Sequence, residues 1–145
     1  MKGMNSFAIN HLHIVFSTKN RQSLIKSDFE QPIYNYISGI GRNLEIPILK
    51  IGGMSDHIHI LMMLPATISL SNAMHKIKGS SSRWINEQFF NDNIFKWQGG
   101  YSAFSVSISN LEKVKEYISR QKVHHKYYSF EEEEKGLLRK HNINK

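Results

Sequence analysis

The chain has no cysteine among its 145 residues. That excludes disulfides, thiolate-held zinc and a cysteine nucleophile, so any bound metal must take histidine, carboxylate or amide ligands. No apolar run approaches the roughly 20 residues that cross a bilayer as a helix, and Met1-Lys2-Gly3-Met4-Asn5 lacks the apolar stretch of a secretory signal. Both absences point to a cytoplasmic protein without a membrane partner. Acidic residues are scarce, 12 against 19 lysines and arginines, for a formal net charge of +7, which suits a polyanionic partner. No internal repeat is visible. A length of 145 residues with 40% hydrophobic content fits one compact domain over 1–145 and is too short for two of ordinary size.

What is present alternates between strand and helix periods. Residues 10–18 are rich in β-branched and apolar side chains and read as a first strand, closed by the basic turn Lys19-Asn20-Arg21. Ser27 and Asp28 offer an N-cap to a helix in which Phe29, Ile33, Tyr36, Ile37 and Ile40 recur every three or four residues. Residues 46–53 and 57–64 read as an antiparallel hairpin turned by Gly52 and Gly53, and Pro65 stops its second strand. Ser69 caps a second helix to about Phe90, with Gly79-Ser80-Ser81-Ser82 as a bend point. Residues 97–107 read as a fourth strand with an irregular start at Gly99-Gly100, and Ser109-Asn110 caps a third helix. This order is the split β-α-β arrangement of an α+β, ferredoxin-like fold. It implies an antiparallel sheet with two packed helices plus a C-terminal tyrosine-bearing helix. Such a fold names no function by itself.

Two short patterns carry chemistry. In Ser55-Asp56-His57-Ile58-His59-Ile60, the histidines stand two apart on a strand and share a face, while Ile58, Ile60 and Met62 take the other. Two neutral imidazoles begin a site for Mg, Mn, Zn or Fe without naming the metal. In Tyr117-Ile118-Ser119-Arg120-Gln121, a phenol and a carboxamide four apart share a helix face. A divalent cation on His57, His59 and Gln121 would stand beside Tyr117. Neutral ligands leave its charge free to polarise a phosphate under attack.

Taken in order, these motifs resemble those of the HUH-type single-tyrosine transposases, small enzymes of single-strand insertion sequences related to the REP-associated tyrosine transposases. Thr18-Lys19-Asn20-Arg21, the segment from Lys78 to Trp84 and the segment from Trp97 to Val106 also resemble that family's segments, so the likeness spans about residues 10–127. The resemblance implies Tyr117 as the nucleophile, leaving a 5′-phosphotyrosine and a free 3′-hydroxyl, and His57, His59 and Gln121 as ligands of Mg or Mn. It also implies single-stranded DNA with hairpins as substrate and a homodimer whose tyrosine helix can dock in trans. A domesticated palindrome-processing relative is the alternative within the same chemistry. A non-catalytic single-stranded nucleic-acid-binding module and a water-using metal hydrolase are alternatives outside it.

Other residues compete for roles. His11-Leu12-His13 repeats the strand spacing but has no tyrosine and glutamine to complement it, and is assigned a structural or DNA-proximal role. Tyr127 and Tyr128 are rival nucleophiles without a glutamine four residues on, and His124 and His125 are either a solvated helix end or an assisting ligand or proton shuttle. Lys19, Arg21, Lys76, Lys78, Arg83, Arg120 and Lys122 are candidate phosphate contacts. Trp84, Trp97 and Tyr101 are candidates for base stacking, with the core as the competing place for the tryptophans. Residues 128–145 are expected to form a short acidic helical tail, with Glu131 to Glu134 as its solvated first turn. The family's motifs do not explain that run.

Overall fold

The structure, a computed structural model, describes residues 6–143. The Met1 to Asn5 stretch discussed above lies outside them. Among the described residues, β1 (His11–Ser17), α1 (Ser27–Asn43), β2 (Ile48–Met54), β3 (His57–Met63), α2 (Leu70–Phe89) and β4 (Ser102–Ser105) follow one another as expected. The chain ends with α3 (Leu111–Ser119), α4 (Gln121–His124) and α5 (Phe130–Lys140). The four strands form an antiparallel sheet in the order β2-β3-β1-β4, the ferredoxin-like topology. Among the described residues no helix is long and apolar enough to cross a membrane.

Strand alternation divides the sheet into two chemically different faces. Leu12, Ile14 and Phe16 of β1 pair in register with Met62, Ile60 and Ile58 of β3, and all six are buried against α1 and α2. Ile33 and Ile37 from α1 and Ala73, Met74, Ile77 and Ile85 from α2 complete that core. Burying each large aliphatic side chain stabilises the fold by about 1.5–3 kcal/mol. The opposite face carries His13, Val15, His57 and His59, and α3, α4 and α5 cover it.

Two small-residue positions set how closely helices approach. Gly52 is the register partner of His59, and a Cβ there would lie 2.9 Å from the Ile118 carbonyl oxygen and 3.0 Å from its Cγ2. Glycine therefore lets α3 settle onto β2, which lowers Tyr117 over the histidines. On the other side, the expected bend in α2 does not occur. Ser81 is buried within a continuous helix and accepts 3.0 Å from the Trp97 indole N–H, so its small side chain makes room for that ring against Phe16 and Phe95.

Three boundaries differ from the sequence reading. β4 is four residues long, because Gly100 takes a φ of +84° and the chain enters the sheet only at Ser102. α1 begins at Ser27 after Lys26, with no side-chain cap, whereas Ser69 does cap α2 through the Asn72 N–H at 3.1 Å. The third helix breaks at Arg120 (φ −100°, ψ 19°), whose N–H still bonds the Glu116 and Tyr117 carbonyls while its own carbonyl starts α4.

Gly52→Ala is expected to destabilise the protein by roughly 1–3 kcal/mol through overpacking against Ile118. Urea unfolding of the variant with an unchanged midpoint would show that α3 does not rest on that contact.

Candidate functional site

β3 places His57 and His59 side by side, both fully buried, with ring centroids 5.1 Å apart. Each presents Nε2 to the same point because its Nδ1 is held elsewhere. His57 Nδ1 lies 2.7 Å from Asp56 Oδ1, and His59 Nδ1 lies 2.8 Å from His13 Nε2. Such outer partners fix the tautomer and ring orientation of an imidazole that binds metal. From α4, the Gln121 Oε1 stands 3.0 Å from His57 Nε2, and from α3 the Tyr117 ring lies 5.7 Å from that of His59. The residues expected to form the centre, His57, His59, Tyr117 and Gln121, therefore meet within one chain.

At their meeting point lies a residue the sequence reading placed in solvent. Glu133, in the first turn of α5, is 4% exposed. Its Oε1 is 3.1 Å from His57 Nε2, 3.1 Å from His59 Nε2 and 3.0 Å from His125 Nε2. Its Oε2 accepts from Gln121 Nε2 at 2.8 Å and from the Tyr117 hydroxyl. The solvated first turn expected from Glu131 to Glu134 is corrected accordingly. Glu132 caps the helix with Ser129, while Glu133, one position on, points inward beneath Phe130, Leu137 and Leu138, which pack on Val15 and Phe104. His125 joins the centre, and His124 stands at its rim, its buried Nε2 without a hydrogen bond and 3.7 Å from Glu133 Oε2. His57, His125 and Glu133 together offer a donor set for a metal ion.

The electrostatics follow from crowding these groups out of water. Burial opposes charge on His57, but hydrogen bonds to Asp56 and Glu133 outweigh it and raise its pKa to about 9. Burial holds His59 below its ordinary value, and burial with the His59 charge lowers His13 to about 3. Burial alone would raise Glu133, yet the hydrogen bonds from His57 and His59 keep it ionised, well below the usual carboxylate range. Burial and the neighbouring Glu133 push the Tyr117 phenol up, so it stays protonated until an acceptor takes its proton.

The candidate phosphate contacts separate into three groups. Lys19 and Arg21 sit on the turn after β1, where Arg21 and Asn20 adopt positive φ and Arg21 pairs with Glu131 at 3.5 Å. Arg120 lies exposed beside Tyr117 and pairs with Glu116 at 3.6 Å. Lys76 and Arg83 are exposed on α2, in the helix layer opposite the site. Lys78 donates to the Gln98 and Gly100 carbonyls at 2.7 and 2.6 Å and so pins the Gly99-Gly100 loop. Lys122 donates to the Gly53 carbonyl at 2.7 Å and pairs with Glu30, tying α4 to the hairpin. Trp84 stacks on Tyr36 and Trp97 packs in the core, whereas Tyr101 stays exposed beside Gly99 and Gly100. Tyr127 and Tyr128 are both exposed. A cleft of about 970 Å³ between β4, α3 and α5 opens onto Tyr117 and is edged by Lys113, Lys135, Arg139 and Lys140.

A histidine pair on a ferredoxin-like sheet, faced by a tyrosine on α3 and a glutamine four residues on at the start of α4, is the arrangement expected of single-tyrosine DNA transposases. Comparison with known proteins agrees. The family model described as "Transposase IS200 like" matches residues 7–121, so the chain belongs to the IS200-like transposases. The transposase for insertion sequence element IS200 of Salmonella typhimurium is 31% identical over 115 residues, covering 75% of this chain and 74% of that protein. The ISDra2 transposase TnpA of Deinococcus radiodurans is 19% identical over 116 residues, 75% of this chain and 81% of its own. Among solved structures, a Deinococcus radiodurans protein described as a transposase superposes with a TM-score of 0.66 at 18% identity, over 83% of this chain and 97% of that one. A REP-associated tyrosine transposase bound to a REP hairpin gives 0.64 at 17% identity, over 88% and 76%. At these identities the two structures support the fold.

Because His13 is held neutral in the fold, the unfolded chain takes up a proton below pH 6.5 that the folded chain refuses until about pH 3. Stability of the protein in chelator is therefore expected to fall as pH drops, with His13 contributing on the order of 1–2 kcal/mol between pH 6.5 and 5. His13→Gln should flatten that slope in urea unfolding; an unchanged slope contradicts the assignment.

Proposed function

We propose that this transposase cuts and rejoins single-stranded, hairpin-bearing DNA through a covalent link to Tyr117. The observation that carries the reading is the convergence of Tyr117, His57, His59 and Gln121 on one buried point. In the forward step a Tyr117 Oη–phosphorus bond forms and the bond to the 3′ oxygen breaks, leaving a 5′-phosphotyrosine and a free 3′-hydroxyl. Re-attack by a 3′-hydroxyl reverses it, so no nucleotide cofactor is consumed. The donor set fits a divalent cation, Mg or Mn: His57, His125 and Glu133 offer ligand atoms within 4.8 Å of one another, the Gln121 amide oxygen lies 3.0 Å from both of those imidazoles, His59 Nε2 lies 3.1 Å from Glu133 Oε1, and each Nδ1 of the β3 pair is held by an outer partner. His57, His59 and Gln121 would hold that ion, and its charge would polarise the scissile phosphate.

The chain's own groups do the rest. Tyr117 Oη already donates to Glu133 Oε2, which gives the phenol proton an acceptor in place. Gly52 and Ile118 set the height of the tyrosine helix above the sheet. Lys19, Arg21 and Arg120 border the site face and are assigned to phosphate contact, with Lys76 and Arg83 as outlying contacts and Lys78 and Lys122 holding the surfaces that DNA meets. A REP hairpin is bound by the REP-associated relative, which supports a hairpin substrate here. A homodimer is the assembled form, in which the Tyr117 helix docks on the histidine pair in cis or in trans. Residues 1–145 form one transposase domain that acts on DNA in the cytoplasm.

Incubation with labelled single-stranded hairpin DNA and Mn is expected to give a covalent adduct on a denaturing gel, lost in Tyr117→Phe by at least about a thousandfold. An adduct of undiminished yield in that variant, or none with any hairpin substrate, would overturn the assignment.

A further inference from the structure

We infer that Glu133 and His125, both beyond the residue 7–121 segment that the family shares, are ligands of the divalent cation, so that α5 is part of the metal site. The inference rests on the functional reading above and extends its ligand set. Four donor atoms form a closed ring. Glu133 Oε1 is 3.1 Å from His57 Nε2, which is 3.0 Å from Gln121 Oε1. Gln121 Oε1 is in turn 3.0 Å from His125 Nε2, which is 3.0 Å from Glu133 Oε1. The His57, His125 and Glu133 ligand atoms lie within 4.8 Å of one another, a span that one ion with bonds of about 2.0–2.4 Å can bridge. His59 Nε2 stands beside that ring, 3.1 Å from Glu133 Oε1.

Proton bookkeeping leads to the same place. His125 Nδ1 is 2.6 Å from the Tyr128 carbonyl, which can only accept, so the proton of a neutral His125 sits on Nδ1. Its Nε2 then offers a lone pair, yet it faces two oxygens that also only accept. A cation at the ring's centre turns those opposed lone pairs into ligands. It also relieves Glu133 Oε1, which otherwise has three imidazole nitrogens around about two acceptor sites. Outer partners hold each histidine: Asp56 for His57, His13 for His59 and the Tyr128 carbonyl for His125. His13, from the His11-x-His13 repeat, thus supports His59 on β3.

The test is Mn(II) titration of the metal-free full-length protein, followed by loss of the free-ion electron paramagnetic resonance signal. Glu133→Gln and His125→Gln are each expected to weaken binding at least about tenfold, while Glu131→Gln, two positions away in α5 with the same change of charge, leaves it unaltered. Hydrogen exchange over residues 130–140 in chelator reports whether α5 stays docked in each variant, and in the wild type that exchange is expected to slow when Mn(II) is added. Equal or tighter binding by Glu133→Gln overturns the inference, because the carboxylate then merely fills the metal's place. If His57→Ala loses Mn(II) and Glu133→Gln does not, the function proposed above stands and this extension falls. If the wild type binds no Mn(II), both fall.

Discussion

The two-residue period of β3 is the constraint on which the rest depends. Ile58, Ile60 and Met62 go to the helix-covered core and His57 and His59 to the other side, without any freedom to trade places. Since β3 is an inner strand, paired with both β1 and β2, its register is fixed on two edges. The polar face is then equally fixed. His13 stands beside His59 because β1 obeys the same period, and Gly52 lies beside His59 because β2 does. The site is imposed by the sheet that also builds the core.

Burying imidazoles and a carboxylate together is costly unless each group finds partners. Here the partners are shared out with little slack. Asp56 serves His57, His13 serves His59, and Tyr128 serves His125, which leaves the Nε2 edge of each ring directed inward. Glu133 takes the centre, and the small apolar seam of Phe130, Leu137 and Leu138 on Val15 and Phe104 holds α5 above it. The helix is thus attached as much by its buried charge as by its apolar surface.

How much of this was legible in the sequence varies with the range of the physics involved. Strand order and the paired histidines could be read because period-two alternation is a local property, and Tyr117 with Gln121 because the family motif is contiguous. The break at Arg120 carries no glycine or proline to announce it, although Tyr117 and Gln121 converge across it. Asp56 carries no sequence signal of its role, since a neighbour on a strand ordinarily points to the other face; here it lies in the hairpin turn and folds back onto His57. Glu133 was hidden in a run of four glutamates that reads as a solvated helix start. Only the packing of α5 on β1 and β4 singles out one of them, and that information is tertiary. Lys78 and Lys122 look like surface charges in sequence, yet each is spent on backbone carbonyls.

The strand order β2-β3-β1-β4 also dictates when the centre comes into being as the chain is made. β1 is synthesised first but lies inside the sheet, so it waits for β3 to give it one neighbour and for β4 to give it the other. The tyrosine and the carboxylate follow later still, on α3 and α5. Up to that moment a growing chain carries its histidine pair with neither Tyr117 nor Glu133 beside it. The centre is thus the last part of the molecule to be completed, since it waits for the C-terminal helices to reach a sheet made before them.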